Sequence, residues 1–190
     1  MVLKSHFPIC LLVAAVAWLP TGAFADSPRQ FLSHALKGDN SEIMLGHVAQ
    51  DQGRSSNVRD FGRTLVADHS EARDEVIRTG QRMGIKANRD VAPEAREERE
   101  KLAHLRGSDF DREFARYMVE DHRKDISDFT EEAQEGHGAV SNLAQRQLPT
   151  LRKHLNMAIA LDSNRGQDRR GFDGRENGDR KIDRDDQRNR

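Results

Sequence analysis

The chain has 190 residues, which gives room for one domain of ordinary size with tails. Charged residues make up 33% and aromatic residues only 5%, a composition that favours helices over strands. The formal net charge of −1 and the lack of a basic patch interleaved with aromatic residues argue against nucleic-acid binding.

Residues 1–25 are predicted to be a signal peptide. Lys4 supplies the positive start, residues 7–19 form an apolar run, and residues 23–25 read Ala-Phe-Ala, a small-x-small cleavage site. We expect cleavage before Asp26 and a periplasmic or secreted protein. The alternative is an uncleaved membrane anchor, which is disfavoured because a spanning helix needs about 20 apolar residues.

Several kinds of chemistry are excluded from the chain after cleavage. Cys10 is the only cysteine and lies in the predicted leader, so no disulfide, thiolate nucleophile or thiolate metal site is expected. No nucleophilic serine motif and no glycine-rich phosphate loop is present. No second apolar run could span a membrane. Whether the protein is an enzyme stays open, with a non-enzymatic role favoured.

The first predicted helix covers Pro28–Gln52, with a possible break at residues 38–40 and a restart capped by Ser41. The second runs from about residue 55 to 83, with Gly84 as its C-cap. One face of this second helix is apolar at steps of three and four residues, through Val58, Phe61, Leu65, His69, Ala72, Val76 and Met83.

A loop over residues 85–92 and a short polar helix over residues 93–105 are predicted to follow. The third long helix starts near Ser108 and ends before Gly136, and the fourth covers residues 139–161. Its inward residues are predicted to be Leu143, Leu148, Leu151, Leu155, Ala158, Ile159 and Leu161. Pro149 should kink this last helix or mark a joint. The pattern predicts an all-α fold, an antiparallel bundle with an extra short helix in one connection.

The C-terminal segment, residues 163–190, consists almost entirely of Arg, Asp, Asn, Gly and Gln. Such a segment cannot bury enough apolar surface to offset its chain entropy, and it is predicted to be disordered. The folded domain is therefore expected to cover residues 26–162.

Four polar residues, one on each long helix, interrupt otherwise apolar faces: Glu42, His69, His122 and His154. Each lies 11 to 16 residues from the glycine at the turn of its helical hairpin. At about 1.5 Å per residue this places all four near the middle of the helices, at one level. One carboxylate and three imidazoles predict a site for one transition metal ion, which could be Zn, Fe, Cu or Mn. The alternative is a buried hydrogen-bond network that holds no metal.

Two aspartates precede histidines of this set. Asp68 and Asp121 either orient a metal ligand of a neighbouring helix or pair with nearby arginines, and the second, structural role is favoured. The other histidines lack a matching apolar face and are expected at or near the surface: His34, His47, His104 and His137. Residues 61–69 and 114–122 share the pattern F-x-R-x-(L/M)-V-x-D-H, which relates the second long helix to the third.

These motifs resemble the domain-of-unknown-function 4142 family, exported bacterial proteins often labelled as outer membrane proteins. The resemblance covers residues 30–161 and rests on both Asp-His pairs, on Phe110-Asp111 and on the Leu-Pro-x-Leu-x-x-His-Leu of residues 148–155. It implies a ferritin-like four-helix bundle, with Glu42, His69, His122 and His154 at signature positions, and it implies no function. Di-iron proteins of that fold carry Glu-x-x-His pairs. Here the position three before each histidine holds Val66, Val119 or Leu151, so one metal ion or none is expected.

The predicted function is that of an exported, periplasmic helical bundle of unestablished role that binds one transition metal ion. The alternative is a non-catalytic envelope or stress-related interaction protein, in which the buried network is structural and the tail contacts envelope partners. Self-association is also open. A third and weaker reading is a redox or peroxide-handling enzyme with a mononuclear site.

Overall fold

The computed structural model describes residues 27–163, which form five α-helices and no strand. The all-helical class is thus confirmed over this range, and the predicted leader and the tail from residue 164 lie outside it. A 3-10 turn, Gln81–Met83, extends the second helix. The helices are α1 (Pro28–Gln52), α2 (Ser56–Gly80), α3 (Pro93–Ala103), α4 (Gly107–Glu135) and α5 (Ala139–Ser163).

Local sequence signals set most of the helix ends. Ser27 caps α1 in a reciprocal arrangement with Gln30, and the Ser55 side chain accepts a hydrogen bond from the backbone N–H of Val58 at the start of α2. Gly84 follows the 3-10 turn with a φ of 77°, a left-handed conformation that glycine adopts without strain. The predicted C-cap at Gly84 is therefore where the second helical segment ends.

The predicted break in α1 at residues 38–40 is absent, because the polar residues there are bonded outside the helix. Asn40 is buried, and its Nδ2 donates to the backbone oxygens of Asn88 and Asp90. Ser41 does not cap a restart. Its Oγ donates to the carbonyl of Lys37 and accepts from the N–H of Ala92. These bonds attach the connection before α3 to the middle of α1.

The long helices pack as two antiparallel hairpins, α1 with α2 and α4 with α5. The hairpins meet where α2 contacts α5 and α1 contacts α4, and α3 packs against α1 and α4. In the first hairpin the backbones approach closely at Gly46 and Gly62. A Cβ atom added to Gly62 would lie 2.6 Å from the Gly46 carbonyl oxygen. Only glycine allows this spacing.

The core has two apolar clusters, one toward each end of the long helices. The first includes Phe31, Leu36, Val76 and Phe129, and the second includes Leu45, Phe61, Leu65, Phe110, Phe114 and Met118. Between them each long helix contributes buried polar side chains, which we call the polar layer: Asp39, Glu42, His69, His122 and His154. The sequence order along all four helices places this layer between the two clusters.

Three details differ from the sequence-based expectation. Met83 is 36% exposed, because it lies in the 3-10 turn beyond the end of α2. Ile159 is 37% exposed, since the neighbouring Ala158 takes the inward position. The last helix continues through Pro149 to Ser163, so Pro149 does not mark a joint between two helices, and the kink stays a prediction. None of the described helices is both long enough and apolar enough to cross a membrane.

Candidate metal centre

The structure brings the four predicted site residues together in the polar layer. Glu42 is 1% exposed and His69 3%, and both His122 and His154 are fully buried. The imidazole ring centroids lie 5.1 Å apart for His69 and His154, 5.3 Å for His122 and His154, and 6.0 Å for His69 and His122. The expectation from helical rise, that the four share one level, agrees with this geometry.

The Glu42 carboxylate faces two of the histidines. Its Oε2 lies 2.7 Å from Nε2 of His69, and its Oε1 lies 3.2 Å from Nε2 of His122. One nitrogen from each of the three histidines also lies within 4.8 Å of the other two. The three imidazoles are therefore close enough to share one ion, and the Glu42 carboxylate lies next to two of them.

The second nitrogen of each imidazole is held by an acceptor. Nδ1 of His69 lies 2.9 Å from Oδ1 of Asp39, and Nδ1 of His122 lies 3.0 Å from the Met118 carbonyl oxygen. Nε2 of His154 lies 2.8 Å from Oδ2 of Asp68. A carbonyl or carboxylate oxygen only accepts, so each of these nitrogens donates its proton. The lone pair of a neutral imidazole then lies on the other nitrogen.

Those other nitrogens are buried and without a hydrogen-bond partner among the described residues. They are Nε2 of His69, Nε2 of His122 and Nδ1 of His154, and Oε1 of Glu42 shares this state. The His69–Glu42 contact has the distance of an ion pair without the alignment of a hydrogen bond. A buried polar atom left unpaired costs about 1–3 kcal/mol. A metal ion at this place would give such atoms a partner.

Burial and neighbouring charges shift the pKa values of Glu42 and His69 in opposite directions. Burial raises the pKa of Glu42, but the imidazoles of His69 and His122 outweigh it and hold that pKa well below its usual range. Burial lowers the pKa of His69, but Glu42 and Asp39 outweigh it and hold it well above 6.5. Without a metal ion the centre is therefore one imidazolium–carboxylate pair.

The remaining two imidazoles stay neutral. Burial, followed by the charge of His69, lowers the pKa of His154 to about 4. Burial also lowers the pKa of His122, although Glu42 acts against it. Neutral imidazole is the form that binds metal ions.

The two aspartates considered as orienting groups lie in different places. Asp68 accepts from His154 of α5 and from Lys153 at 3.0 Å, so it orients an imidazole of a neighbouring helix, and the favoured pairing with arginine is not what the structure has. Asp121 is half-buried, and its carboxylate lies within 4.8 Å of ligand atoms of Glu42 and His122. Burial, then the charge of Glu42, raises the pKa of Asp121 to about 7.

Sequence reasoning missed Asp39, which it placed in a helix break. The spacing could have indicated Asp39 as a site residue, because it lies three residues before Glu42 and hence on the same helix face. It also missed Asp125, one turn after Asp121, whose pKa is raised by burial and by Asp121. The four histidines expected at the surface are all exposed: His34, His47, His104 and His137.

A cavity of about 700 Å³ opens on one side of the polar layer. Glu42 and His69 line it, whereas His122 and His154 lie behind them, next to the ring of Phe61. The cavity gives solvent access to a centre whose far side is closed by apolar side chains. Most of its other charged lining residues are acidic: Asp39, Asp68, Glu71, Glu75, Glu94, Asp121, Asp125 and Asp128.

Comparison with known proteins gives a fold and a family. No curated protein matches the chain. Among solved structures, a fragment of a DUF305 protein from Deinococcus radiodurans is similar, with a TM-score of 0.64 and 19% sequence identity. The match covers 72% of this chain and 95% of that one, and at this identity it supports the helical fold alone. The model of the family described as "Domain of unknown function (DUF4142)" matches residues 15–161, and the chain therefore belongs to this family.

Proposed function

We propose that this protein binds one transition metal ion in the polar layer, with Glu42, His69, His122 and His154 as ligands. The four long helices, on this proposal, form an antiparallel, ferritin-like four-helix bundle whose centre is the metal site. One observation carries the proposal. Four buried atoms without hydrogen-bond partners come from the four helices, and each imidazole among them is held from behind by an acceptor.

The donor set limits the ion. Three imidazole nitrogens and one carboxylate oxygen suit Zn²⁺, Fe²⁺, Cu²⁺ or Mn²⁺, and four protein ligands around Zn²⁺ are the usual number in a structural site. Binding removes the proton that Nε2 of His69 carries in the imidazolium–carboxylate pair, because the ion takes the place of that proton. A centre built in this way binds an ion without large rearrangement of the helices.

Elemental analysis of untagged protein, purified without chelator, tests this proposal. We expect about one transition metal ion per chain, lost in His122→Ala and in the milder His154→Gln. His47→Ala is the matched control, since His47 is an exposed histidine of α1. Circular dichroism separates loss of metal from loss of fold. A parent protein that is metal-free and binds no added Zn, Cu, Fe or Mn contradicts the proposal.

A second candidate is a structural network in a non-catalytic envelope protein. It is favoured by the Glu42–His69 pair, which balances its own charge without a metal ion. In that case the same elemental analysis finds no metal, and the partner search turns to the charged residues 163–190, where the sequence places a tail.

We also propose that the protein is exported and that the leader is removed before Asp26. The support is the charged start, the apolar run and the small residues at 23 and 25. N-terminal sequencing of the protein from a cell-envelope fraction tests this. A protein that begins at residue 1 in that fraction contradicts cleavage.

A further inference from the structure

The polar layer has two chemically different sides. His122 and His154 form a nitrogen-rich side that is fully buried. The side that faces the cavity is rich in oxygen and contains Asp39, Glu42 and Asp121. Of the three histidines of the polar layer, only His69 lines the cavity. A single ion among the imidazoles leaves this oxygen-rich side without a cation.

Two buried carboxylate oxygens on the cavity side have no hydrogen-bond partner among residues 27–163. They are Oδ2 of Asp39, a side chain that is 6% exposed, and Oε1 of Glu42, which is 1% exposed. The other oxygen of Asp39 is occupied by His69. Oδ2 of Asp39 is not among the four atoms of the metal centre, whereas Oε1 of Glu42 is one of them.

Asp121 brings a third carboxylate next to Glu42 from α4, and it lines the same cavity as Asp39. One of its oxygens lies within 4.8 Å of ligand atoms of Glu42 and His122. A ligand atom of Asp39 lies within the same distance of Glu42 and His69. Glu42 is thus the residue that both groups share, and a carboxylate has two oxygens with which to bind two ions.

The basic residues around the cavity do not neutralise the negative charge of Asp39, Glu42 and Asp121. Three of these four basic residues form ion pairs with other carboxylates. Lys124 lies 3.0 Å from Asp128, Lys153 lies 3.0 Å from Asp68, and Arg146 pairs with Glu75. The fourth is Lys37 on α1. The carboxylates nearest the polar layer therefore attract a cation through the cavity.

We propose a second cation site on the cavity side, formed by Asp39, Glu42 and Asp121, with Glu42 shared between the two ions. Its ligands are all oxygens, so it takes a hard divalent cation such as Mn²⁺ or Mg²⁺, whereas the imidazoles hold the softer ion. Asp121 is then a direct ligand, and water from the cavity completes the coordination. This inference rests on the proposed function, since it assumes an ion among the imidazoles.

The test loads the full chain with one equivalent of Zn²⁺ and then titrates Mn²⁺, with free Mn²⁺ followed by electron paramagnetic resonance. We expect the Zn-loaded parent to bind one further Mn²⁺ per chain while Zn²⁺ stays bound. Asp121→Asn should weaken Mn²⁺ binding at least about 10-fold and leave the Zn²⁺ stoichiometry unchanged. Glu131→Gln is the matched control, because it removes the same charge from an exposed position of α4 outside the lining of this cavity, and it should change Mn²⁺ binding less than about 2-fold.

Each outcome decides between the two proposals. A parent that retains Zn²⁺ but takes up no Mn²⁺ overturns the second site alone. The same conclusion follows if Asp121→Asn and Glu131→Gln weaken Mn²⁺ binding equally, or if Mn²⁺ displaces Zn²⁺. A parent that binds no Zn²⁺ overturns the metal centre as well. Retention of Zn²⁺ by Asp121→Asn shows that this variant is folded.

Discussion

Replacing Gly62 by alanine should destabilise the protein, although alanine is the better helix former. The added Cβ atom would lie 2.6 Å from the Gly46 carbonyl oxygen, 3.0 Å from Cβ of Ala49 and 3.1 Å from the backbone N of Gln50. Ordinary contact begins at 3.4 Å, so α1 and α2 must separate by roughly 0.8 Å. The neighbouring atoms belong to the backbone and cannot turn aside as a long side chain can.

The size of the loss follows from two opposing effects. Overpacking of a tight contact costs about 1–3 kcal/mol, and the change from glycine to alanine inside a helix returns up to about 1 kcal/mol. We expect a net loss of about 1–2 kcal/mol in the free energy of unfolding. Gly38→Ala is the control, because Gly38 is also inside a helix and its added Cβ would meet no atom within 4 Å. That variant should gain about 0.5–1 kcal/mol.

The free energy of unfolding of both variants is measured by urea titration. The comparison requires that the slope of this free energy against urea concentration equals that of the parent. The Gly62→Ala midpoint should lie below that of the parent and the Gly38→Ala midpoint above it. Metal affinity gives a second measurement, because separating α1 from α2 moves Glu42 away from His69. If Gly62→Ala is as stable as Gly38→Ala, the two helices do not approach as closely as described, and the reasoning is refuted.

Three further predictions concern other parts of the molecule. Burial, followed by the charge of Glu113, raises the pKa of Glu98 from 4.5 to about 7, so its contribution to stability is present below pH 4.5 and is lost as pH rises through 7. Glu98→Gln should therefore be more stable than the parent at pH 8 by about 2 kcal/mol, and this difference in the free energy of unfolding should vanish at pH 4.5. A difference that does not change with pH in urea titrations contradicts this prediction. Asn40→Ala leaves two backbone oxygens of the connection before α3 unpaired, so trypsin should cut faster at Lys86 and Arg89. An unchanged cleavage rate would show that the hydrogen bonds of Asn40 do not hold this connection. Asp68→Ala should weaken binding of the metal ion by about 10–100-fold, measured in competition with a chelating dye, because His154 loses the acceptor that orients it. The control is Asp60→Ala, which changes an exposed aspartate of the same helix and should bind the ion as the parent does.

The helices were predictable because their ends are local features. Ser55 and Gly84 act on neighbouring backbone groups, so their meaning can be read without knowledge of the fold. The common level of the four site residues was predictable for a similar reason, since helical rise is constant. The break at residues 38–40 was wrong because the partners of Asn40 lie 48 and 50 residues further along the chain.

The arrangement within the site could not be derived from the sequence. Which nitrogen of each imidazole is free depends on its acceptor: Asp68 on another helix for His154, Asp39 on another helix for His69, and a backbone oxygen for His122. The contact of His154 with Asp68 depends on how the two hairpins are rotated relative to each other, and the contact of His69 with Asp39 depends on how α1 and α2 are rotated within the first hairpin. The spacing of residues along one helix carries no information about that rotation.

The placement of the polar layer between two apolar clusters also limits the ways in which the chain can fold. If one long helix slid by a single turn, about 5.4 Å, its polar residue would enter an apolar cluster and an apolar residue would take its place among the imidazoles. Each such arrangement would leave a charge or lone pair buried among phenylalanine and leucine side chains. Competing alignments of the same helices are thereby disfavoured before any ion binds, so the residues of the proposed metal site also select the alignment in which they meet.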